Sequence, residues 1–381
     1  MADIPGPVES SPGSPVSEPV AAPGPPPPAF DVIEPRFESV MFTGTGGEYF
    51  RIWIVNLALT VITLGVYSAW AKVRRLQYFY RHTRLDGSGF DYHGNPIAIL
   101  KGRIIGLVLL GLYSAAGYMN FWIAAGIFLL LAVVMPWLLG RSLAFRLHNS
   151  SYRGLRFRFH GTARQAYVAF LAYPIVTVLT LFTLGPLWHH RLKRYQFVNA
   201  AYGRSRFSFN AAVGEFYVTY ILAVFVFIGL MFVFVAVIMG AAFGMALASG
   251  GRPPDDISGT MMAMVLAGGL VYAAAIVAGQ AIITARIQNE CWNKVTIEGR
   301  RFHCQMYAWR LFSILFTNLL GTVATIGLYR PFAQVRLARY VASTLRFDVS
   351  RGFDVFVADD EADVSAVGEE TTDLFDFDIA F

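Results

Sequence analysis

Residues 42–80, FTGTGGEYFRIWIVNLALTVITLGVYSAWAKVRRLQYFY, contain the pattern that decides the fold. An apolar run over about 50–67 reaches Gly65, and a run rich in aromatic, Lys and Arg residues follows it. Helices commonly end at a glycine because this residue takes a left-handed conformation without a steric penalty. The stretch therefore predicts an apolar helix, a glycine turn and a basic amphipathic helix, with short strands before and after them.

The same pattern occurs twice more, which predicts a three-fold internal repeat. Two threonines lie five and two positions before a glycine in every copy, and an asparagine lies nine positions before it in the first and third copies. We predict repeat units of about 42–96, 157–211 and 295–349. The matched residues are Thr60, Thr63 and Gly65, then Thr180, Thr183 and Gly185, then Thr322, Thr325 and Gly327, with the asparagines Asn56 and Asn318.

Two interpretations of these matched residues stay open. Threonine hydroxyls can bond backbone carbonyls one turn earlier, which matters where water is scarce, so the motif can be a helix stop and nothing more. Alternatively, Asn56, Asn318 and the threonines line a polar site inside the membrane.

The composition indicates a membrane protein. Of the 381 residues, 55% are hydrophobic and only 15% are charged, and the mean hydropathy is +0.49. A typical soluble domain is about 25% charged. Several apolar blocks reach the ~18–20 residues that cross a bilayer, and we expect helical hairpins over 104–139 and 216–285. The predicted fold is mainly α: a polytopic helical membrane protein with short β-strands flanking each repeat helix.

Charge is segregated along the chain. Residues 1–41 contain six acids and one base, residues 354–381 contain ten acids and no base, and residues 42–353 have a net charge of +21. We expect a disordered, Pro-rich acidic tail over 1–41 and an acidic tail over 354–381, on either side of a membrane domain. Either tail could bind a protein partner. The basic body suits a membrane surface rather than nucleic acid.

Two topologies remain open, with between four and seven crossings. If all seven apolar blocks cross, the Lys and Arg residues divide into 19 inside and 12 outside; if only the two hairpins cross, 30 are inside and one is outside. The positive-inside rule favours the second topology, in which each repeat helix enters and leaves on one face. The block 166–188 favours the first, because it is long enough to span.

The helix after each glycine combines aromatic rings with cations, a combination that suits the headgroup zone of a bilayer. The simpler interpretation is that these helices anchor the topology, and the sharper one is that they bind anionic lipid headgroups. The candidate headgroup contacts are Lys72, Arg74 and Arg75, then Arg191, Lys193 and Arg194, then Arg330, Arg336 and Arg339.

We expect no catalytic residues, no cofactor and no metal, because the apolar blocks contain almost no titratable side chains and no motif for a nucleophile, phosphate loop or metal site. The predicted function is non-catalytic: engaging anionic lipids or a partner protein through the basic-aromatic helices. A transporter or channel-like protein for a small solute is the alternative, since internal repeats occur in transporters. Against transport, no intramembrane charge that would bind a coupling ion is evident.

The three threonine–glycine stretches, the short runs before them and the basic aromatic helices after them resemble the YjgN family, bacterial inner-membrane proteins built on a domain of unknown function. Residues 42–80 resemble it most closely, and the resemblance covers roughly residues 40–350. The second copy departs from the pattern, because Val176 replaces the asparagine. The resemblance implies a multi-pass location in the bacterial inner membrane, and it implies no activity, ligand or catalytic residue.

Overall fold

The computed structural model describes Gly6, residues 35–248 and 257–350, Phe353 and Phe356. These residues form one antiparallel sheet of eleven short strands, from which helices leave in pairs. The strands are β1 (Phe37–Ser39), β2 (Met41–Phe42), β3 (Thr83–Leu85), β4 (Ser88–Tyr92), β5 (Ser150–Tyr152), β6 (Leu155–Phe159), β7 (Ala200–Tyr202), β8 (Ser205–Phe209), β9 (Val295–Ile297), β10 (Arg300–Cys304) and β11 (Leu345–Asp348).

One continuous segment joins the two ends of this sheet. The strand order is β1-β11-β10-β9-β8-β7-β6-β5-β4-β3-β2. β1 pairs with β11 and β2 pairs with β3, while only Val40 separates β1 from β2. The Val40 amide donates to the carbonyl of Leu345 at 2.9 Å. The sheet therefore nearly closes into a barrel, an arrangement that leaves few unpaired edge groups.

Tight turns with left-handed residues connect neighbouring strands. Asp86 and Gly87 lie between β3 and β4 with φ angles of 46° and 72°, and Glu298 and Gly299 lie between β9 and β10 with 47° and 73°. Two-residue hairpin turns of this kind need positive φ at both positions, because their twist then matches that of the strands. A glycine at the second position meets this need and fixes the strand register.

Two helix pairs are long enough to cross a membrane. They are α3 (Pro96–Met119) with α4 (Phe121–His148), and α8 (Val213–Ala248) with α9 (Ile257–Asn293). Each helix starts or ends within a few residues of a strand, so each pair leaves the sheet and returns to it. The described part of the chain contains four candidate spans: Pro96–Tyr118, Phe121–His148, Val213–Gly244 and Met264–Asn293.

Three further helix pairs are short. They are α1 (Gly46–Ile62) with α2 (Ser68–His82), the broken helix α5 (Ala163–Tyr167) and α6 (Tyr173–Leu179) with α7 (Gly185–Val198), and α10 (Ala308–Ala324) with α11 (Arg330–Ser343). A π-helical turn over Val168–Ala172 joins α5 to α6.

The tips of the short pairs are apolar and exposed. Leu64 is 95% exposed, Leu181 86% and Ile326 96%. Apolar surface of this kind is stabilised by lipid rather than by water. Each short pair begins and ends at the sheet, so the chain enters and leaves each pair at the same end. The described residues therefore contain four candidate spans and three short pairs with apolar tips.

Aromatic side chains pack inside the curved sheet. Tyr152 is 3% exposed, and its hydroxyl donates to the carbonyl of Leu85 at 2.7 Å. Phe353 and Phe356, which follow the last strand, are 5% and 1% exposed. The guanidinium of Arg300 lies 4.6 Å from the centre of the Phe356 ring, within the range of a cation–π interaction. The chain beyond β11 therefore contributes to the core of the sheet.

The sheet is larger than the sequence pattern predicts. The pattern predicts short strands beside each repeat helix, but it does not predict that all of them join in one sheet. Phe37–Ser39 in β1 lie before the domain boundary predicted at residue 42, and Phe356 lies beyond the one predicted at residue 353. Most of the two predicted tails lies outside the described residues. Pairing between segments far apart in sequence leaves no local signal, which explains the difference.

Candidate functional site: a basic pocket between helix pairs

A pocket of about 380 Å³ lies between the first and third short helix pairs and the first turns of α3. Helix α1 packs against both α2 and α11, so residues from the two ends of the chain meet at one site. Side chains of α1, α2, α3 and α11 line the pocket.

Two stripes of side chains form the walls on the first helix pair. Tyr49, Trp53, Asn56 and Thr60 lie on α1 at steps of three or four residues, which places them on one helix face. Ser68, Lys72 and Arg75 have the same spacing on α2 and lie on one face as well. The turn at Gly65 folds the two helices together, so the stripes face one another.

Four cationic side chains line the pocket: Lys72 and Arg75 from α2, Arg103 from α3 and Arg330 from α11. No acidic side chain lines it within the described residues. The salt bridges found in residues 35–248 and 257–350 involve other cations. Positive charge that is concentrated in a cleft and lacks a counter-charge favours an anion there.

Hydrogen bonds hold the walls in place. The Tyr49 hydroxyl, 1% exposed, donates to Oε1 of Gln334 on α11 at 3.0 Å. Nη1 of Arg103 donates to Oγ of Ser68, which ties α3 to the start of α2. At the N-terminus of α1, Thr45 and Glu48 form a capping box. These bonds fix the geometry of the pocket before any ligand arrives, which reduces the entropy that binding costs.

One polar atom in the pocket lacks a partner. Asn56 is 6% exposed, and its side-chain oxygen accepts no hydrogen bond from the part of the chain that the structure describes. Leaving a buried acceptor unsatisfied costs about 1–3 kcal/mol. The Asn56 oxygen is therefore a candidate acceptor for a ligand of the pocket.

The electrostatic field in the pocket is positive. Burial lowers the pKa of Lys72, and the charges of Arg103, Arg75 and Arg146 lower it further. Burial raises the pKa of Tyr49, whereas Arg75 and Arg330 act in the opposite direction. Positive neighbours disfavour a further positive charge, and a bound anion would relieve this repulsion.

The pocket lies where α3 changes from polar to apolar. Lys101 and Arg103 lie in the first turns after Pro96, whereas Ile104 and Leu107 beyond them are 52% and 67% exposed. Exposed apolar side chains on a spanning helix face hydrocarbon, and cations near the end of such a helix reach the headgroups. The pocket therefore lies at the sheet end of α3, beside the point where its exposed apolar surface begins.

The predicted helix-stop residues lie at the tips of the short pairs. Gly65 and Gly327 follow the ends of α1 and α10 with φ angles of 93° and 91°. Gly185 differs from the prediction, because it is the first residue of α7, and Leu181 and Phe182 take the left-handed conformation instead. The residue after Gly185 is a proline, whose fixed φ favours a helix start, so α7 begins at the glycine.

The threonines of the motif bond the helix backbone. Thr60 and Thr63 donate to carbonyls four residues earlier at 2.6 and 2.7 Å. The same bond is made by Thr180, Thr322 and Thr325. Thr183 lies in the turn before α7. This geometry is that of the helix-stop interpretation; only Thr60, of the six, lines the pocket.

Arg74 faces away from the pocket. Its guanidinium lies 5.7 Å from the centre of the Tyr67 ring. It lines a second, open groove of about 530 Å³ on the other side of the first helix pair, where Arg51 and Arg81 are also found. Arg81 is paired there with Asp91 at 2.9 Å. The structure thus separates Arg74 from its neighbours Lys72 and Arg75.

The remaining predicted headgroup contacts lie outside the pocket, on α7 and α11. Arg336 donates to Oγ1 of Thr317 at 2.8 Å, and Arg339 donates to the carbonyl of Gly44 at 3.1 Å. Arg191, Lys193 and Arg194 lie on α7, in the second short pair. Of the nine predicted headgroup contacts, the structure brings Lys72, Arg75 and Arg330 together in the pocket.

Asn318 has an environment different from that of Asn56. Its Nδ2 donates to the carbonyl of Ala333 at 3.2 Å, and its Oδ1 lies 3.5 Å from Nη1 of Arg336. The two asparagines therefore do not share one site. The third pair gives its asparagine internal partners, whereas the side-chain oxygen of Asn56 has none among the described residues.

Sequence reasoning missed Arg103, Tyr49 and Gln334 as pocket residues. Arg103 gives a signal, because it is a cation at the beginning of an apolar span, where cations reach the headgroups. Tyr49 and Gln334 give none, since their contact depends on α1 packing against α11. Among the described residues, no cluster of three His, Cys, Asp or Glu could bind a metal ion.

Comparison with known proteins gives the following matches. Residues 37–374 match the family described as "Bacterial protein of unknown function (DUF898)". The inner membrane protein YjgN of Salmonella typhimurium is 32% identical over 148 residues, and that of Escherichia coli K12 is 27% identical over 148 residues. Each match covers 38% of this chain and 37% of the relative. No solved structure matches.

Proposed function

Because the chain belongs to the DUF898 family of bacterial proteins and is an integral inner-membrane protein, we propose that it binds the phosphate groups of anionic lipids in the basic pocket. The observation that supports this function is the set of four cations, Lys72, Arg75, Arg103 and Arg330, with no acid among the described lining residues. The proposed function is binding without catalysis.

The position of the pocket matches a lipid headgroup. Anionic lipids give the cytoplasmic leaflet a negative surface potential, and basic pockets between helices on that side bind lipid phosphates. The positive-inside rule supports a cytoplasmic position for the sheet, because the bases lie near the sheet ends of the helices. The phosphate of a lipid in the cytoplasmic leaflet would therefore reach the pocket while it stays in the headgroup region.

The lining supports a ligand with a polar head and an apolar body. Trp53, Leu57 and Ala71 form the apolar part of the wall, and Leu57 is 41% exposed. The cations form the remainder. A free phosphate in solution would contact only the cationic side chains, whereas a lipid would also cover the exposed apolar side chains.

The three short helix pairs are proposed to be copies of one unit that have diverged. Each consists of a strand, an apolar helix, a turn and a basic helix in the same order. In the third pair Arg336 approaches Asn318, and in the second a valine, Val176, replaces the asparagine. We assign the headgroup site to the first pair, together with the helices that pack against it.

The alternative of solute transport has less support. Only 6–17% of the residues in each candidate span are buried, so the described spans mostly face outward and do not enclose a polar path. Binding of a partner protein through the tails is a separate proposal. The tails lie almost entirely outside the described residues, so the pocket does not bear on it.

The test is binding of lipid to the purified full-length protein. The protein in detergent is titrated with phosphatidylglycerol or with zwitterionic phosphatidylcholine, and bound lipids are counted by native mass spectrometry. We expect at least tenfold tighter binding of phosphatidylglycerol, weakened by salt because the contacts are ionic. Equal retention of both lipids would contradict the proposal.

A further inference from the structure

We infer that the pocket selects an anionic phosphodiester headgroup that carries a hydroxyl group, and that this hydroxyl donates a hydrogen bond to the side-chain oxygen of Asn56. The inference rests on the proposed function and specifies its ligand. It starts from a different observation, which is the unsatisfied acceptor in the wall of the pocket.

Two hydroxyl groups of the pocket wall, those of Thr60 and Tyr49, already donate their protons elsewhere. The Thr60 hydroxyl donates to the backbone carbonyl of Asn56 at 2.6 Å, and the Tyr49 hydroxyl donates to Gln334 at 3.0 Å. Each hydroxyl has a single proton to donate. Neither side chain can therefore satisfy the Asn56 oxygen without breaking its present bond.

The cations of the pocket do not satisfy the oxygen either. Lys72, Arg75 and Arg330 line the same cavity, and the oxygen has no bond to them. A bound phosphate would engage these cations with its own oxygens, since hydrogen bonds between charged groups are the stronger ones. We assign the donor for the asparagine to another group of the ligand.

In the third helix pair, an arginine of the same pair approaches the matching asparagine oxygen. Nη1 of Arg336 lies 3.5 Å from Oδ1 of Asn318 and also donates to Thr317. In the first pair the matching arginine, Arg74, lies over Tyr67 and outside the pocket. Arg74 therefore does not bond the Asn56 oxygen, and in our proposal the ligand supplies that donor.

The donor is a hydroxyl rather than an ammonium group. Four cations surround the cavity within the described residues, and a positively charged headgroup would be repelled by them. A headgroup of phosphate plus glycerol meets both requirements, because the phosphate is anionic and the glycerol hydroxyls are neutral donors.

Two lipids test this selectivity at equal charge. Phosphatidylglycerol and phosphatidylmethanol are phosphodiesters with one negative charge, and only the first has headgroup hydroxyls. We expect the full-length wild-type protein to bind phosphatidylglycerol about tenfold more tightly, the effect of one hydrogen bond to a buried acceptor. Equal affinity for the two would overturn the inference and leave the proposed function standing. If neither bound better than phosphatidylcholine, the proposed function itself would fail.

A substitution assigns the selectivity to the asparagine. Asn56→Leu keeps the size of the side chain and removes the acceptor, so the ratio between the two lipids should fall to about one, with phosphatidylmethanol still bound. Retained phosphatidylmethanol binding also shows that the variant folds. Asn318→Leu is the matched control and should keep the tenfold ratio. A tenfold ratio that survives in Asn56→Leu would overturn the inference, and the wild-type ratio remains a test if this variant does not fold.

The source of the headgroup is tested with a soluble competitor. Glycerophosphoglycerol has the same phosphate and hydroxyls without acyl chains. Because the pocket lies beside the exposed apolar surface of α3 and has an apolar wall, we expect it to displace phosphatidylglycerol only at concentrations at least 100-fold higher. Displacement at equal concentration would overturn the assignment to a lipid.

Discussion

Nη1 of Arg336 lies 3.5 Å from the side-chain oxygen of Asn318. Arg74 is nine residues after Gly65, as Arg336 is after Gly327, yet its guanidinium lies over the ring of Tyr67. One arginine reaches its asparagine and the other does not. Asn56 lines the pocket of the first pair, and Arg74 lies outside it.

The topology can be tested by labelling single cysteines in sealed spheroplasts. Arg84→Cys, Arg156→Cys and Arg346→Cys lie on exposed positions of the sheet, and Asn120→Cys lies at the tip of the first long hairpin. We expect a membrane-impermeant thiol reagent to label only the Asn120 variant from outside, because the proposed topology has the sheet on the cytoplasmic side. The native Cys291 and Cys304 are buried and should not react. Outside labelling of any sheet position would contradict this topology.

The glycine turn at the tip of the first pair should be sensitive to substitution. Gly65 has a φ of 93°, so a side chain there is strained. We expect Gly65→Ala to reduce the free energy of unfolding by about 1–2 kcal/mol, seen as a lower thermal midpoint in detergent. Gly111→Ala, inside α3 with open space at its Cβ, should raise stability by about 0.5–1 kcal/mol. Equal effects at both glycines would argue against a strained turn.

His189 should make stability depend on pH. Burial, together with the charge of Lys193, lowers its pKa to about 4, whereas the unfolded value is about 6.5. As the pH falls below 6.5, His189 becomes protonated in the unfolded state but not in the folded state. The free energy of unfolding therefore falls until about pH 4, by at most about 3 kcal/mol. His189→Gln should reduce this decline in thermal midpoint between pH 7 and 4. Exposed His303, replaced by Gln, is the control; the same slope in both variants would refute the role of His189.

The chain after β11 should stabilise the sheet. Phe356 is 1% exposed and lies against Arg300. We expect Phe356→Ala to cost about 3–5 kcal/mol, as for other buried phenylalanines. Phe232→Ala, at a side chain 74% exposed on α8, should change the unfolding midpoint much less. Similar losses in chemical denaturation would mean that Phe356 is not part of the core.

The local features of the fold could be predicted from the sequence. Gly65 and Gly327 mark helix ends because their effect acts within one turn, and the apolar blocks mark the long hairpins because burial in lipid depends on composition. The closed sheet could not be predicted, since β1 pairs with β11 from the other end of the chain. The pattern predicts a helix end at Gly185, whereas α7 begins there because the next residue is a proline.

The pocket was predictable only in part. Lys72, Arg75 and Arg330 belong to the basic helices that the sequence associates with headgroups, but the same pattern includes Arg74 and Arg336, which point elsewhere. Charge and periodicity show that a helix is basic on the surface. Packing between α1, α2 and α11 decides which cations share one pocket. Contacts between segments so far apart in sequence leave no local pattern.

The most direct test of a headgroup site compares two neighbouring arginines. Arg75→Gln and Arg74→Gln each remove one positive charge from α2, but only Arg75 lines the pocket. The dissociation constant of phosphatidylglycerol is measured for both full-length variants by native mass spectrometry. We expect Arg75→Gln to weaken binding about tenfold, as for loss of a charge-assisted hydrogen bond of about 1.5 kcal/mol, and Arg74→Gln to weaken it less than about twofold, as for an exposed surface charge. Equal weakening in the two variants would show that the lipid responds to the overall charge of the surface, and would contradict a specific pocket.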